Sequence, residues 1–199
     1  MKVLSSVIVL GALVLGALPV VGEASDIEGG RRKAEVCVPC HGPNGNSTRP
    51  TIPSLAGQPS LYLYYQLIQY REGRREDPQM SPFAANLSDA DMQDLAAYFS
   101  AQKPVAAQSS GPDPQKMAAG QRASEAHHCP SCHGPGLVGQ DHLPRLSGQH
   151  YAYLLKQLRG FKAQTSADID GSMTMAAQPL SDEEIEALAY YMAHLRPIP

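Results

Sequence analysis

Cys37-Val38-Pro39-Cys40-His41 and Cys129-Pro130-Ser131-Cys132-His133 are two copies of C-x-x-C-H, and together they use all 4 cysteines of the 199-residue chain. Each position has a chemical reason. Two thiols three residues apart reach the two vinyl groups of one haem and form two thioether bonds. The adjacent His lies under the porphyrin, where an imidazole nitrogen can ligate iron. A zinc site of four cysteines needs neither that His nor its repetition. A thioredoxin-like C-x-x-C needs a βαβ setting that is missing here. Disulfides, the usual fate of cysteines in an exported chain, do not explain this spacing. The motifs therefore predict two covalently attached haem c groups, held through Cys37, Cys40, Cys129 and Cys132, with His41 and His133 each supplying one axial iron ligand.

Working outward, the whole chain repeats. A shift of 92 residues superimposes the two motifs. At 91, Pro53-Ser54-Leu55-Ala56-Gly57-Gln58 falls on Pro144-Arg145-Leu146-Ser147-Gly148-Gln149, Tyr62-Leu63 on Tyr153-Leu154, and Gln66-Leu67 on Gln157-Leu158. At 93, Met80 falls on Met173 and Leu87-Ser88-Asp89 on Leu180-Ser181-Asp182. Two copies with small drifts describe a duplicated domain rather than a solenoid. Residues 25–102 form the first copy and 116–199 the second; residues 103–115 join them as an extended, semi-rigid linker rich in Pro, Ser and Gly.

Residues 1–24 read as a secretory signal peptide. Lys2 supplies the positive start, Val3 to Val21 are nearly all apolar, and Gly22-Glu23-Ala24 ends on a small residue. As a membrane anchor the segment is interrupted by Gly11, Gly16 and Pro19. The expected mature chain is exported and soluble, with peripheral association at a membrane surface left open. With 16 Lys+Arg against 19 Asp+Glu, the net charge of −3 gives no footprint for nucleic acid. Trp is absent and Phe occurs 3 times, so each half lacks large side chains for its core. A buried porphyrin would supply that apolar area, and small domains need such help.

The pattern is all-α. Ser88 with Asp91, and Ser181 with Glu184, form capping boxes, and Leu87/Met92 and Leu180/Ile185 stand at staple positions. Further helices are predicted over 60–73 and 151–164, and over 27–36 and 115–127 leading into the haem motifs; no segment alternates as a strand does. For the second axial ligand, Met92 and Met192 lie on apolar stripes and Met117 has no counterpart in the first copy. Met80 and Met173 match across the repeat, in loops able to fold over a haem face. Met173 is preferred to Met175 because it keeps the same distance to Leu180 as Met80 keeps to Leu87. His127, His128, His142, His150 and His194 have no partners in the first copy and read as surface residues. Arg71, Arg74 and Arg75 read as a solvated helix face; Tyr62 and Tyr153 could serve haem propionates or simply pack.

Cys37-x-x-Cys40-His41 with Met80, Cys129-x-x-Cys132-His133 with Met173, the turn Pro-x-Leu-x-Gly-Gln and the Leu-Ser-Asp-led last helix resemble the di-haem cytochrome c4 family: two class I cytochrome c domains in tandem, each wrapped around one covalently bound haem. The resemblance implies a periplasmic electron carrier whose haems face each other across the domain interface. It also implies that the carbonyls of Pro53 and Pro144 accept from the Nδ1–H of His41 and His133. His/Met ligation raises the iron potential and fills both axial positions, which suits electron transfer rather than catalysis. The expected partners are redox proteins: a membrane cytochrome complex, a terminal oxidase or a dehydrogenase. The alternatives are the cytochrome subunit of a dehydrogenase complex, such as a flavocytochrome c sulfide dehydrogenase, and a di-haem peroxidase. The pairing of Met80 with Met173 weighs against the peroxidase.

Overall fold

The computed structural model describes residues 25–107, 111–166 and 168–197. The expected signal peptide, residues 1–24, and linker residues 108–110 lie outside them. The first half runs α1 (Ile27–Lys33), α2 (Val38–His41), α3 (Ser60–Arg71), α4 (Ser81–Ala84) and α5 (Asp89–Ser100). The second repeats the series as α6 (Pro114–Ala126), α7 (Cys129–His133), α8 (Tyr151–Lys162), α9 (Ser172–Ala177) and α10 (Asp182–His194). Among the described residues there is no strand, only an isolated bridge between Gln140 and Leu143.

Both capping boxes form: the Ser88 and Ser181 hydroxyls accept from the Asp91 and Glu184 N–H groups, and each acidic side chain accepts from the N-cap backbone. The helix leading into the first motif is shorter than expected, because the chain tightens after Lys33 into a 3₁₀ turn, Ala34–Cys37. In the second half α6 starts at Pro114, a residue that needs no N–H partner there, under the Asp113 side chain, which accepts from Gln115 N–H at 2.8 Å. His128, with φ 54°, then breaks the helix before Cys129. The methionine segments are not plain loops: Met80 is the N-cap of α4, and Met173 lies inside α9.

In each half the helix before the haem motif crosses the last helix at a glycine. A Cβ on Gly30 would lie 2.1 Å from the Asp94 carbonyl oxygen, and one on Gly120 would lie 2.3 Å from that of Ala187. Only a hydrogen fits at either crossing. The second core joins Leu137, Leu154, Leu158, Leu180, Ile185, Leu188 and Met192. The first is smaller, built on Leu63, Leu95, Tyr98 and Phe99. The start of the linker is docked: Asn46 takes Val105 N–H at 2.8 Å and gives to the Lys103 carbonyl at 3.1 Å, and Ala107 N–H reaches the Gly148 carbonyl at 3.0 Å.

Candidate haem centres

Cysteine, cysteine and histidine at i, i+3 and i+4 project from one side of a helical turn. The folded haem motifs use that geometry: Cys37, Cys40 and His41, with Cys129, Cys132 and His133, line one continuous cavity shared by the two halves. His41 Nδ1–H donates to the Pro53 carbonyl at 2.9 Å, and His133 Nδ1–H to the Pro144 carbonyl at 2.8 Å. These bonds fix the tautomer and leave each Nε2 with its lone pair toward the cavity. Burial holds both imidazoles below the usual histidine range, against the opposing effect of the carbonyl bonds. His133 Nε2 is buried with no hydrogen-bond partner, as an atom meant for iron should be. The surroundings are apolar enough that burial pushes the Cys37 thiol up to about 11. The residues present therefore fit a haem in each half. Among the described residues, no group of three or more His, Cys, Asp or Glu side chains is arranged to hold a bare metal ion.

Met80 and Met173 line the same cavity, and Met173 also packs on the second core. Met175, by contrast, is 70% exposed. The segments carrying the two methionines are tied by carboxylates that sequence reasoning passed over. Asp77 Oδ1 accepts from the N–H groups of Gln79 at 2.9 Å and Met80 at 3.1 Å. Asp168 accepts from Gly171 N–H at 2.5 Å and Thr174 N–H at 2.8 Å, so it brackets Met173. Partial burial raises the Asp77 pKa, but the backbone N–H groups and Lys156 outweigh it and keep the carboxylate ionised. A signal was available: Asp77 and Asp168 coincide at the 91-residue offset of the repeat.

Two expectations about surface residues are corrected. His150 is only 4% exposed, and its Nε2–H donates to the Ser47 carbonyl at 2.9 Å across the domain interface, where a second-half side chain meets first-half backbone. Of the three arginines, only Arg74 stands on a solvated face. Arg71 donates to Asp89 at 2.7 Å and to the Leu87 carbonyl at 3.1 Å. Arg75 lies over the Tyr70 ring at 4.8 Å, bonds Gln66 and reaches Tyr153 Oη at 3.2 Å in the other half. No carboxylate pairs with Arg75 among the described residues. Burial pushes the Tyr62 and Tyr70 phenols up, Tyr70 to about 12, so both remain protonated donors. Arg145, 1% exposed, is a second cation on the cavity wall; among the described residues it has no carboxylate partner and its Nε no acceptor, and burial lowers it to about 10. Buried cations call for an anion, and the carboxylates of two haems would supply it.

A helical domain of this kind, repeated around a cavity with a haem-binding motif on each side, defines a class: the tandem c-type cytochrome. The cytochrome c family matches residues 28–103 and again residues 117–196. Cytochrome c4 of Pseudomonas aeruginosa is 37% identical over 195 residues, which span 92% of this chain and 95% of the relative. The crystal structure of reduced recombinant cytochrome c4 from Pseudomonas stutzeri aligns with a TM-score of 0.78 at 36% identity, covering 87% of this chain and 100% of that one. A thiosulfate dehydrogenase electron acceptor of Thiomonas intermedia is 34% identical over 171 residues, 81% of this chain and 79% of its own. The chain belongs to the cytochrome c family and, within it, to the cytochrome c4 proteins. It carries two covalent haem c groups and is an electron carrier rather than an enzyme.

Proposed function

We propose that this cytochrome carries electrons in the periplasm, from a dehydrogenase or membrane cytochrome complex toward a terminal oxidase. Its haems are joined to Cys37 and Cys40 in the domain of residues 25–102, and to Cys129 and Cys132 in that of residues 116–199. The iron ligands are His41 with Met80, and His133 with Met173. The observation that carries this reading is the matched arrangement in the two halves: each histidine is tied at Nδ1 to a proline carbonyl, and each shares its cavity with a methionine held by an aspartate. The bound haems supply reversible one-electron storage; the chain supplies the ligands and orients each histidine through its Nδ1–H. Export rests on the leader at residues 1–24, and among the described residues no helix is long and apolar enough to cross a membrane.

A second reading has its own support. One relative bears the name thiosulfate dehydrogenase electron acceptor, which favours a thiosulfate dehydrogenase as the donor over the alternative in which this chain is itself the cytochrome subunit of a flavocytochrome complex. Native purification asks which polypeptide, if any, co-elutes. The carrier reading itself is tested by exposing the reduced protein to carbon monoxide at neutral pH. Negligible binding is expected, because a methionine fills the sixth position of each iron; rapid stoichiometric binding would overturn it.

A further inference from the structure

The two halves meet through a crossed pair of glutamines. The peptide unit between Pro53 and Ser54 accepts from His41 Nδ1–H at its oxygen, 2.9 Å, and gives its N–H to Gln149 Oε1, also 2.9 Å. Gln149 Nε2 returns a bond to the Ser54 carbonyl at 3.0 Å. The other half repeats the arrangement in reverse. The Pro144–Arg145 peptide accepts from His133 Nδ1–H at 2.8 Å and gives its N–H to Gln58 Oε1 at 2.9 Å; Gln58 Nε2 donates to the Arg145 carbonyl at 2.9 Å. Gln58 and Gln149 are 3% and 2% exposed. They are repeat partners, as are Ser54 and Arg145, so a pseudo-two-fold axis runs between them.

Adhesion alone does not require the glutamines to grip the one peptide in each half that also holds the histidine. We propose that Gln149 tunes the iron ligated by His41, and Gln58 the iron ligated by His133, each acting as a positioning residue across the domain interface. Amide resonance joins the two ends of a peptide unit. When the N–H donates, electron density shifts to the carbonyl oxygen and the bond accepted there strengthens. A stronger acceptor at Nδ1 makes the imidazole a more basic ligand. A more basic ligand favours ferric iron and lowers the potential. Docking of the halves thus lowers both potentials, and each domain sets part of the other's. The inference rests on the assignment of His41 and His133 as iron ligands.

The test uses ¹⁵N-labelled holoprotein, fully reduced so that both irons are diamagnetic, and follows the Nδ1–H resonances of both ligands together with the two potentials. In Gln149→Met, the His41 Nδ1–H signal should move upfield and the potential of its haem should rise, with the His133 pair unchanged. Gln58→Met should give the converse. A shift confined to the variant's own half, or no shift, overturns the proposal. If Gln149→Met parts the halves and moves both haems, Gln149→Glu decides, because it loses the bond to the Ser54 carbonyl but keeps an acceptor, a stronger one when ionised, for the Ser54 N–H. A His41 signal at or downfield of the wild-type position then supports the proposal; an upfield shift like that of Gln149→Met overturns it. Should wild-type protein show no imidazole signals displaced by the haem ring current, the ligand assignment has failed instead.

Discussion

Met173 and Met175 are two residues apart in one short helix, and at that spacing they face different directions. Met173 looks into the cavity and rests on the second core, whereas Met175 is 70% exposed. Replacing each with Ala should therefore give unequal results: Met173→Ala removes about half of the methionine–iron charge-transfer band of the oxidised protein, and Met175→Ala leaves it intact. The reverse pattern would assign the ligand to Met175. Asp168 supplies a second prediction. Its carboxylate takes backbone N–H groups on both sides of Met173, so Asp168→Ala unties the segment while leaving the sulfur in place. The reduced variant should bind carbon monoxide at one haem, at least ten-fold faster than wild type, with its fold retained by circular dichroism. The proposed ligands are legible in the sequence because their chemistry is local to a motif or repeated at a fixed offset. Asp77 and Asp168 were repeated too, but an aspartate in a loop carries no ligand chemistry of its own and drew no attention.

At the scale of the helix, sequence and structure agree where the determinants lie within one turn. The capping boxes at Ser88 and Ser181 each lie within four residues and could be read directly; the shortened α1 could not, since the 3₁₀ turn after Lys33 carries no local signal of that kind. Nor could the crossings at Gly30 and Gly120, whose reason lies in Asp94 and Ala187, more than sixty residues away along the chain. Lys33 joins the same two helices of the first half, with its ammonium 2.7 Å from both Asp91 and Asp94. That ammonium, followed by the Ser88 hydroxyl and N–H, pulls Asp91 down to about 2, from about 4 in an unfolded chain. A carboxylate whose folded pKa is depressed stabilises the fold fully above its unfolded value, and loses that contribution as pH falls through the folded one. Helix content in wild type should therefore weaken between about pH 4 and pH 2, with Asp91→Asn less stable at neutral pH and flatter across that window. Because the pair is exposed, added salt should narrow the difference. A steeper acid transition in Asp91→Asn would show that the pair does not act this way.

The molecule as a whole is two small domains that share a cavity, and the halves should not depend on their haems equally. Seven large side chains of the second half, from Leu137 to Met192, close on one another as a contiguous core. In the first half the clustered large members are Leu63, Leu95, Tyr98 and Phe99, with Met92 buried apart from them and Leu55 and Leu67 only partly covered; residues of both cores line the cavity, so the difference between the halves lies in the size of the cluster. A domain of this size sits near the limit at which an apolar core suffices. Each further buried aliphatic side chain contributes about 1.5–3 kcal/mol, comparable to a sizeable share of the roughly 5–15 kcal/mol that holds a whole domain together. The first half should therefore lean harder on its porphyrin. Preventing attachment there, with Cys37→Ser and Cys40→Ser, removes one haem and exposes that wall. The same change at Cys129 and Cys132 removes the other. Amide hydrogen exchange should report loss of protection throughout α3 and α5 in the first variant, but residual protection in α8 and α10 in the second. Gln58 and Gln149 add a further expectation: the half that keeps its haem should exchange faster at Ser54 or Arg145 once its neighbour unfolds, since the glutamine that covered that peptide is withdrawn. Equal loss of protection in the two variants would mean that the larger aliphatic core of the second half does not set its independence of the haem.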